Sequence, residues 1–184
     1  MIRAVDFLVA LIGLLLLWPL LLIVTVIGCF DTGKPIFVQR RIGKNSCTFK
    51  LIKFRTMHPQ TASVGTHLVN VSAVTRLGAF LRKTKLDELP QLINVLLGQM
   101  SLVGARPCLP NQQVLIEERD KRGVYNYRPG ITGLAQVNNI DMSTPKKLAR
   151  VDALMVKQLN LCMYFTLVLK TIVGHGQGDK VKIS

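Results

Sequence analysis

From Phe7 to Phe30 the chain runs 24 residues without a charge, and no other feature constrains its fold as strongly. As a helix the run would measure roughly 36 Å at 1.5 Å per residue, longer than the roughly 30 Å of bilayer hydrocarbon. A secretory leader fits less well: the run is long, Asp6 sits in its front flank, and no small-residue cleavage pattern closes it. Pro19 lies near the middle and removes a backbone hydrogen bond, so it should kink or break the helix. Two arms of about 18 Å each would reach the bilayer centre and turn back, leaving both ends on one side. A kinked span would not. Arg3 precedes the run while Lys34, Arg40, Arg41 and Lys44 follow it, so counting flanking charges does not choose between them. The basic segment after the run does place the following domain in the cytoplasm. On these grounds a span and a re-entrant hairpin stand level.

The 184 residues allow one domain with a core plus an appendage. A net charge of +14 suits an anionic partner: nucleic acid, an acidic membrane surface or a phosphorylated substrate. Between Thr32 and Ile116 there are twelve Lys or Arg residues but only two acids, the adjacent Asp87 and Glu88. Acids and bases usually alternate on solvated helix faces, so an isolated pair asks for another explanation. Cys29, Cys47, Cys108 and Cys162 are widely spaced, which argues against a zinc site or a disulfide framework and for reduced thiols. His58, His67 and His175 lack motif partners and read as loop or surface residues.

Ile36-Phe37-Val38 and Thr48-Phe49-Lys50-Leu51 flank a Gly/Asn/Ser turn and predict a β-hairpin. Residues 57–74 read as a long irregular loop, a type that is often functional. Leu77, Phe80 and Leu81 share a helical face from Thr75, and a second helix over 87–97 is ended by Gly98. The segments 102–110 and 127–133 are rich in Gly and Pro and read as irregular. After Pro145, the spacing of Leu148, Val151, Leu154, Met155 and Leu159 predicts a basic amphipathic helix, either a core helix or an interfacial one. Residues 161–173 are apolar but too short to span, and Lys170 interrupts them.

The chemistry centres on Thr84-Lys85-Leu86-Asp87-Glu88-Leu89-Pro90-Gln91. Thr84 three residues before Asp87 resembles a capping pattern, and Pro90 belongs near a first turn, so both acids fall near a helix start. Acids there complement the helix dipole, and that alone would account for them. A helix start is also an anion site, and Arg82, Lys83 and Lys85 precede it. A carboxylate beside a bound phosphate can attack phosphorus, and its neighbour can take magnesium.

These residues sit within a larger ordered set. Lys53-Phe54-Arg55-Thr56-Met57, Thr75-Arg76-Leu77-Gly78, Leu86 to Gln91, Asn94-Val95, Met100-Ser101-Leu102-Val103-Gly104 and Arg128-Pro129-Gly130-Ile131-Thr132-Gly133-Leu134-Ala135-Gln136-Val137 resemble the bacterial sugar transferase family, the monotopic phosphoglycosyl transferases. Each motif alone is weak, but their order across residues 3–173 is specific.

The resemblance implies transfer of a sugar-1-phosphate from a UDP-sugar to undecaprenyl phosphate with release of UMP. Asp87 would be the nucleophile and Glu88 a magnesium ligand, with Lys53, Arg82, Arg106, Pro107 and Arg128 around the donor. It further implies an α+β, mainly helical fold: a re-entrant membrane helix over residues 1–31 broken at Pro19, then a catalytic domain over 32–184 with a β-hairpin and interfacial amphipathic helices. Arg3 and Asp6 resemble the family's basic-x-x-Asp start. The setting would be the bacterial inner membrane, monotopic, with the active site facing the cytoplasm. The partners would be the UDP-sugar, undecaprenyl phosphate and the bilayer, with no nucleic acid and with a homodimer left open. The small form resembles members that use UDP-N-acetylated amino sugars.

Three positions depart from the pattern: Trp18 stands where Ser often precedes the proline, Ala105-Arg106-Pro107 replaces Pro-Arg-Pro, and Asn138-Asn139-Ile140-Asp141 replaces Asn-Gly-Arg. The third points to a different sugar preference. Two rivals remain: a non-catalytic membrane-anchored module binding polyprenyl phosphate or acidic lipid, and a membrane-tethered nucleic-acid binder. For the second, few exposed-looking aromatics interleave the basic residues and no recognised nucleic-acid motif appears.

Overall fold

A computed structural model describes residues 2–61 and 73–176. The order is α1 (Ile2–Thr32), β1 (Ile36–Ile42), β2 (Thr48–Phe54), α2 (Arg76–Thr84), α3 (Gln91–Leu96), β3 (Ser101–Val103), α4 (Gln113–Asp120), β4 (Gly130–Thr132), α5 (Leu134–Val137), α6 (Pro145–Gln158) and α7 (Leu161–Ile172). The fold is mainly helical with a short antiparallel hairpin, as the sequence suggests.

Helix α1 runs unbroken through Pro19, against the expected break. A proline deletes its own N–H bond and pushes off the carbonyl four residues back, which bends a helix, but a long apolar helix can keep the rest of its ladder. The helix is long and apolar enough to cross a membrane, and its middle is bare, with Leu16 73% exposed. One stripe of it nevertheless docks on the domain at both ends. Near the start, Arg3 donates from Nη1 to the Val95 carbonyl at 2.6 Å and from Nη2 to that of Leu96 at 3.0 Å. Asp6 Oδ1 accepts from Ser101 Oγ, the Leu102 N–H and the Tyr164 hydroxyl, at 2.9, 2.9 and 2.7 Å. At the far end, Asp31 accepts from Thr75 Oγ1 at 2.7 Å. Arg3 thus closes the C-terminal carbonyls of α3, which the helix dipole leaves electron-rich. Arg3→Met should cost about 1–2 kcal/mol, read as a lower melting temperature with the helical circular dichroism retained.

The main core joins Ala10 of α1, Leu51 of β2, Leu92 and Val95 of α3, Met155 and Val156 of α6, and Tyr164 and Leu167 of α7. A second cluster around Leu115, Tyr125, Leu148 and Ala149 packs α4 on α6, and a third packs Val24, Phe54 and Leu81. Helix α6 is therefore a core helix: it buries Leu148, Met155 and Val156, while Leu154, expected on its apolar face, is exposed. The outward apolar face belongs to α7, through Phe165, Leu169 and Ile172.

Two segments read as irregular in fact form a parallel pair, with Ser101 opposite Gly130 and Val103 opposite Thr132. The chains meet so closely that a Cβ on Gly130 would lie 2.0 Å from the Gly104 nitrogen. Only glycine fits such an approach. Thr84 does not open the next helix; its hydroxyl donates back to the Phe80 and Leu81 carbonyls at the end of α2. The working cap is Thr75, whose Oγ1 accepts from the Gly78 N–H at 2.9 Å. Of the loop expected over 57–74, Met57 and Val74 pair as an antiparallel bridge, while 62–72, with His67, lie outside the described residues.

Candidate active site

Lys85 at φ 59° reverses the chain after α2 into a 3-10 turn, Leu86–Glu88, that carries both acids to the start of α3. Beside this turn lies β2, held by Asn94. The Asn94 amide donates to the Lys50 carbonyl at 2.8 Å, and its Oδ1 accepts from the Ile52 N–H at 3.0 Å. The fully buried Asn94 thereby fixes Lys53, one residue on, near Asp87.

A cavity of about 490 Å³ opens here. Its charged lining comprises Asp87, Glu88, Lys53, Arg82, Lys85 and Arg106. Thr132, Gln136, Asn139, Ile140, Asp141 and Met142 line it as well. Arg106 Nη1 meets Glu88 Oε1 at 2.8 Å, and Arg82 Nε donates to Thr56 Oγ1 at 3.1 Å. Asp87 is 7% exposed. Burial first, then the neighbouring Glu88 charge, pushes its carboxyl up from 3.8 to about 6, against the pull of Lys53, Arg82 and Arg106. Burial holds the Lys53 ammonium down to about 8; Asp87 opposes that shift, and Arg41, Arg106 and Arg82 add to it. The site thus has a carboxylate that is costly to ionise, facing cations that would welcome a phosphate.

Of the residues singled out from sequence, Lys53, Arg82, Asp87, Glu88 and Arg106 come together in the cavity. Pro107 and Arg128 do not line it. The Pro107 carbonyl accepts from the Arg41 guanidinium at 3.1 Å, and Arg128 Nε donates to the Gly98 carbonyl at 2.7 Å, beyond the end of α3. Arg119 and Asp152 went unnoticed in the sequence. Arg119 Nη2 lies 2.7 Å from Asp152 Oδ2, and its Nη1 donates to the Arg106 carbonyl at 2.8 Å. The pair thereby sets the backbone from which Arg106 reaches Glu88. The available signal was Asp152 inside the apolar stripe of α6.

As a magnesium site, consecutive carboxylates offer the hard oxygen donors such an ion takes, one or two alongside phosphate oxygens and water. Among the described residues no group of three or more His, Cys, Asp or Glu side chains could hold a metal, so phosphate or water would supply the remaining ligands.

The model of the bacterial sugar transferase family matches residues 1–177. The exopolysaccharide production protein PSS of Rhizobium leguminosarum bv. phaseoli is 37% identical over 189 residues, covering 94% of this chain and 94% of that protein. The UDP-glucose:undecaprenyl-phosphate glucose-1-phosphate transferase of Xanthomonas campestris pv. campestris is 36% identical over 181 residues. The UDP-N-acetylgalactosamine-undecaprenyl-phosphate N-acetylgalactosaminephosphotransferase of Aeromonas hydrophila is 35% identical over 181 residues. The last two matches cover 91% and 92% of this chain but only 37% and 42% of those longer proteins.

Proposed function

The chain belongs to the bacterial sugar transferase family, and from that premise we propose that it moves a sugar-1-phosphate from a UDP-sugar to undecaprenyl phosphate, releasing UMP. The observation that carries this reading is the buried Asp87 carboxyl in a cavity ringed by Lys53, Arg82 and Arg106. In the first step Asp87 attacks the phosphorus that bears the sugar. The P–O bond to UMP breaks, UMP leaves with the electron pair, and an acyl phosphate bearing the sugar remains on Asp87. In the second, a phosphate oxygen of the lipid attacks the same phosphorus, and the carboxylate departs. Arg82 and Lys53 hold the equatorial oxygens, whose charge must be met in the transition state. Arg106 orients Glu88 through their 2.8 Å pair. Magnesium on Glu88, when bound, would neutralise donor phosphate charge.

The membrane reading belongs to the same proposal. Both ends of α1 dock on one domain while its apolar middle is bare. A helix that crossed the bilayer would separate those ends by its thickness, so we take α1 to bend at Pro19 while staying helical, dipping in and returning, monotopic, at the cytoplasmic face of the inner membrane where UDP-sugars reside. The sugar we favour is an N-acetylated amino sugar. The test is a donor panel in nanodiscs holding undecaprenyl phosphate: UDP-N-acetylglucosamine, UDP-N-acetylgalactosamine and UDP-glucose, read as UMP release and labelled sugar in the lipid. One amino-sugar donor should turn over. UMP release from UDP-glucose alone would overturn the sugar, and silence across a wider set of nucleotide sugars would overturn the activity.

A further inference from the structure

The acids and the cations of the cavity are explained by donor phosphate, but one wall is not. Thr171, Gly174, His175 and Gly176 close the cavity from the C-terminal end of α7. This end has its own apolar outer face, with Ile172 and Val173 about three-quarters exposed, 75% and 76%. Within it Gly174 and Gly176 both take positive φ and offer no side chain to pack inward. Gly176 instead comes so near α5 that a Cβ would lie 2.6 Å from the Gln136 carbonyl.

Two side chains tie it inward: the Thr171 hydroxyl pairs with that of Thr132 at 2.5 Å, and beyond it the wall is reached by Lys85. Its ammonium donates to the His175 carbonyl at 2.6 Å and the Thr171 carbonyl at 3.3 Å. Those are carbonyls at and beyond the end of α7, where the helix dipole is negative and a cation is favoured. The same residue supplies the left-handed backbone that turns the chain toward Asp87. A non-glycine residue in that region costs stability, which makes its side chain worth explaining. Resting on the function proposed above, we propose that Lys85 is a positioning residue: by capping α7 it holds the Thr171–Gly176 wall against the Asp87 turn and so shapes the cavity for the donor.

A direct contact from Lys85 to donor phosphate is the competing account, and the two separate experimentally. Lys85→Gly keeps the left-handed turn without strain and removes only the side chain; Lys85→Arg keeps a cation that can cap. Hydrogen exchange on the full chain in nanodiscs, with no substrate, reads the amides of Val173, Gly174 and His175, which bond within this end. Protection there should fall about tenfold in Lys85→Gly and return in Lys85→Arg, with amides in α3 unchanged. KM for the donor should rise about tenfold in Lys85→Gly, with kcat changing less, and Lys85→Arg should restore it.

Unchanged protection with a raised KM would overturn the clamp and leave phosphate contact in its place. Lost protection with an unchanged KM would overturn the positioning role. Absence of UMP release from the unaltered chain would defeat the proposed function, yet the exchange measurement would still decide whether Lys85 holds the wall.

Discussion

Asp87→Asn should melt higher than the parent chain at pH 8 while losing at least about a thousandfold in UMP release and all labelled adduct. The stability half follows from linkage. The Asp87 carboxyl titrates at about 6 in the fold against an ordinary 3.8. The folded protein therefore binds this proton more tightly than the unfolded chain does. That contribution to stability is complete below the unfolded value and is lost as pH rises through about 6. At pH 8 the ionised, buried carboxylate costs roughly 2–3 kcal/mol, at about 1.4 kcal/mol per pKa unit. The attraction of Lys53, Arg82 and Arg106 is already included in the shift. Asparagine keeps the shape and drops the charge, so the gain should be about 5–10 °C for a chain of this size. It should shrink as pH falls through 6 and vanish near pH 4. In the parent chain UMP release should fall over the same interval, because the protonated acid cannot attack phosphorus. A melting difference that does not change with pH would sink the argument that burial strains this carboxylate. Activity retained in Asp87→Asn would remove it as nucleophile.

The acidic pair was legible because charge isolation is a one-dimensional signal: two acids among twelve bases stand out without any geometry. The hairpin was legible for a similar reason, since alternation and turn residues are local. The parallel pair β3–β4 was not. Its strands are three residues each, and its pairing depends on Gly104 and Gly130 lying back to back, which in sequence looks like turn chemistry. Pro19 misled in the other direction, since local rules predict a break that α1 does not show. Helix α6 could be read as core or interface; its partner α4 decides, and no periodicity reveals a partner. The two residues that line no part of the cavity, Pro107 and Arg128, hold backbone in place around it, a role that motif membership does not distinguish from contact with substrate.

Least visible of all was the ion pair of Arg119 and Asp152, 33 positions apart: Asp152 stands out within the apolar stripe of α6, but nothing in the sequence names its partner. Removing one partner should give the largest loss of stability. Both side chains are buried, 1% and 2% exposed, and Arg119 places Nε and Nη2 on one Asp152 oxygen at 3.0 and 2.7 Å. Asp152→Ala leaves a guanidinium in the core without its counter-charge, which should cost about 3–5 kcal/mol, or about 10 °C in melting temperature. Arg119→Met strands the carboxylate and should cost about as much. The double variant Arg119→Met with Asp152→Leu strands neither charge, and it should recover most of the stability, since well-packed apolar replacements of buried pairs are often neutral. Activity should not recover with it. The lost Nη1 bond was the tie to the Arg106 carbonyl, and Arg106 is what meets Glu88 at the cavity. UMP release in the double variant should stay down about tenfold, the worth of one charge-assisted hydrogen bond. A double variant as unstable as the singles would show that packing, not charge, holds this place. Full activity in a stable double variant would show that the loop carrying Arg106 stands without the pair.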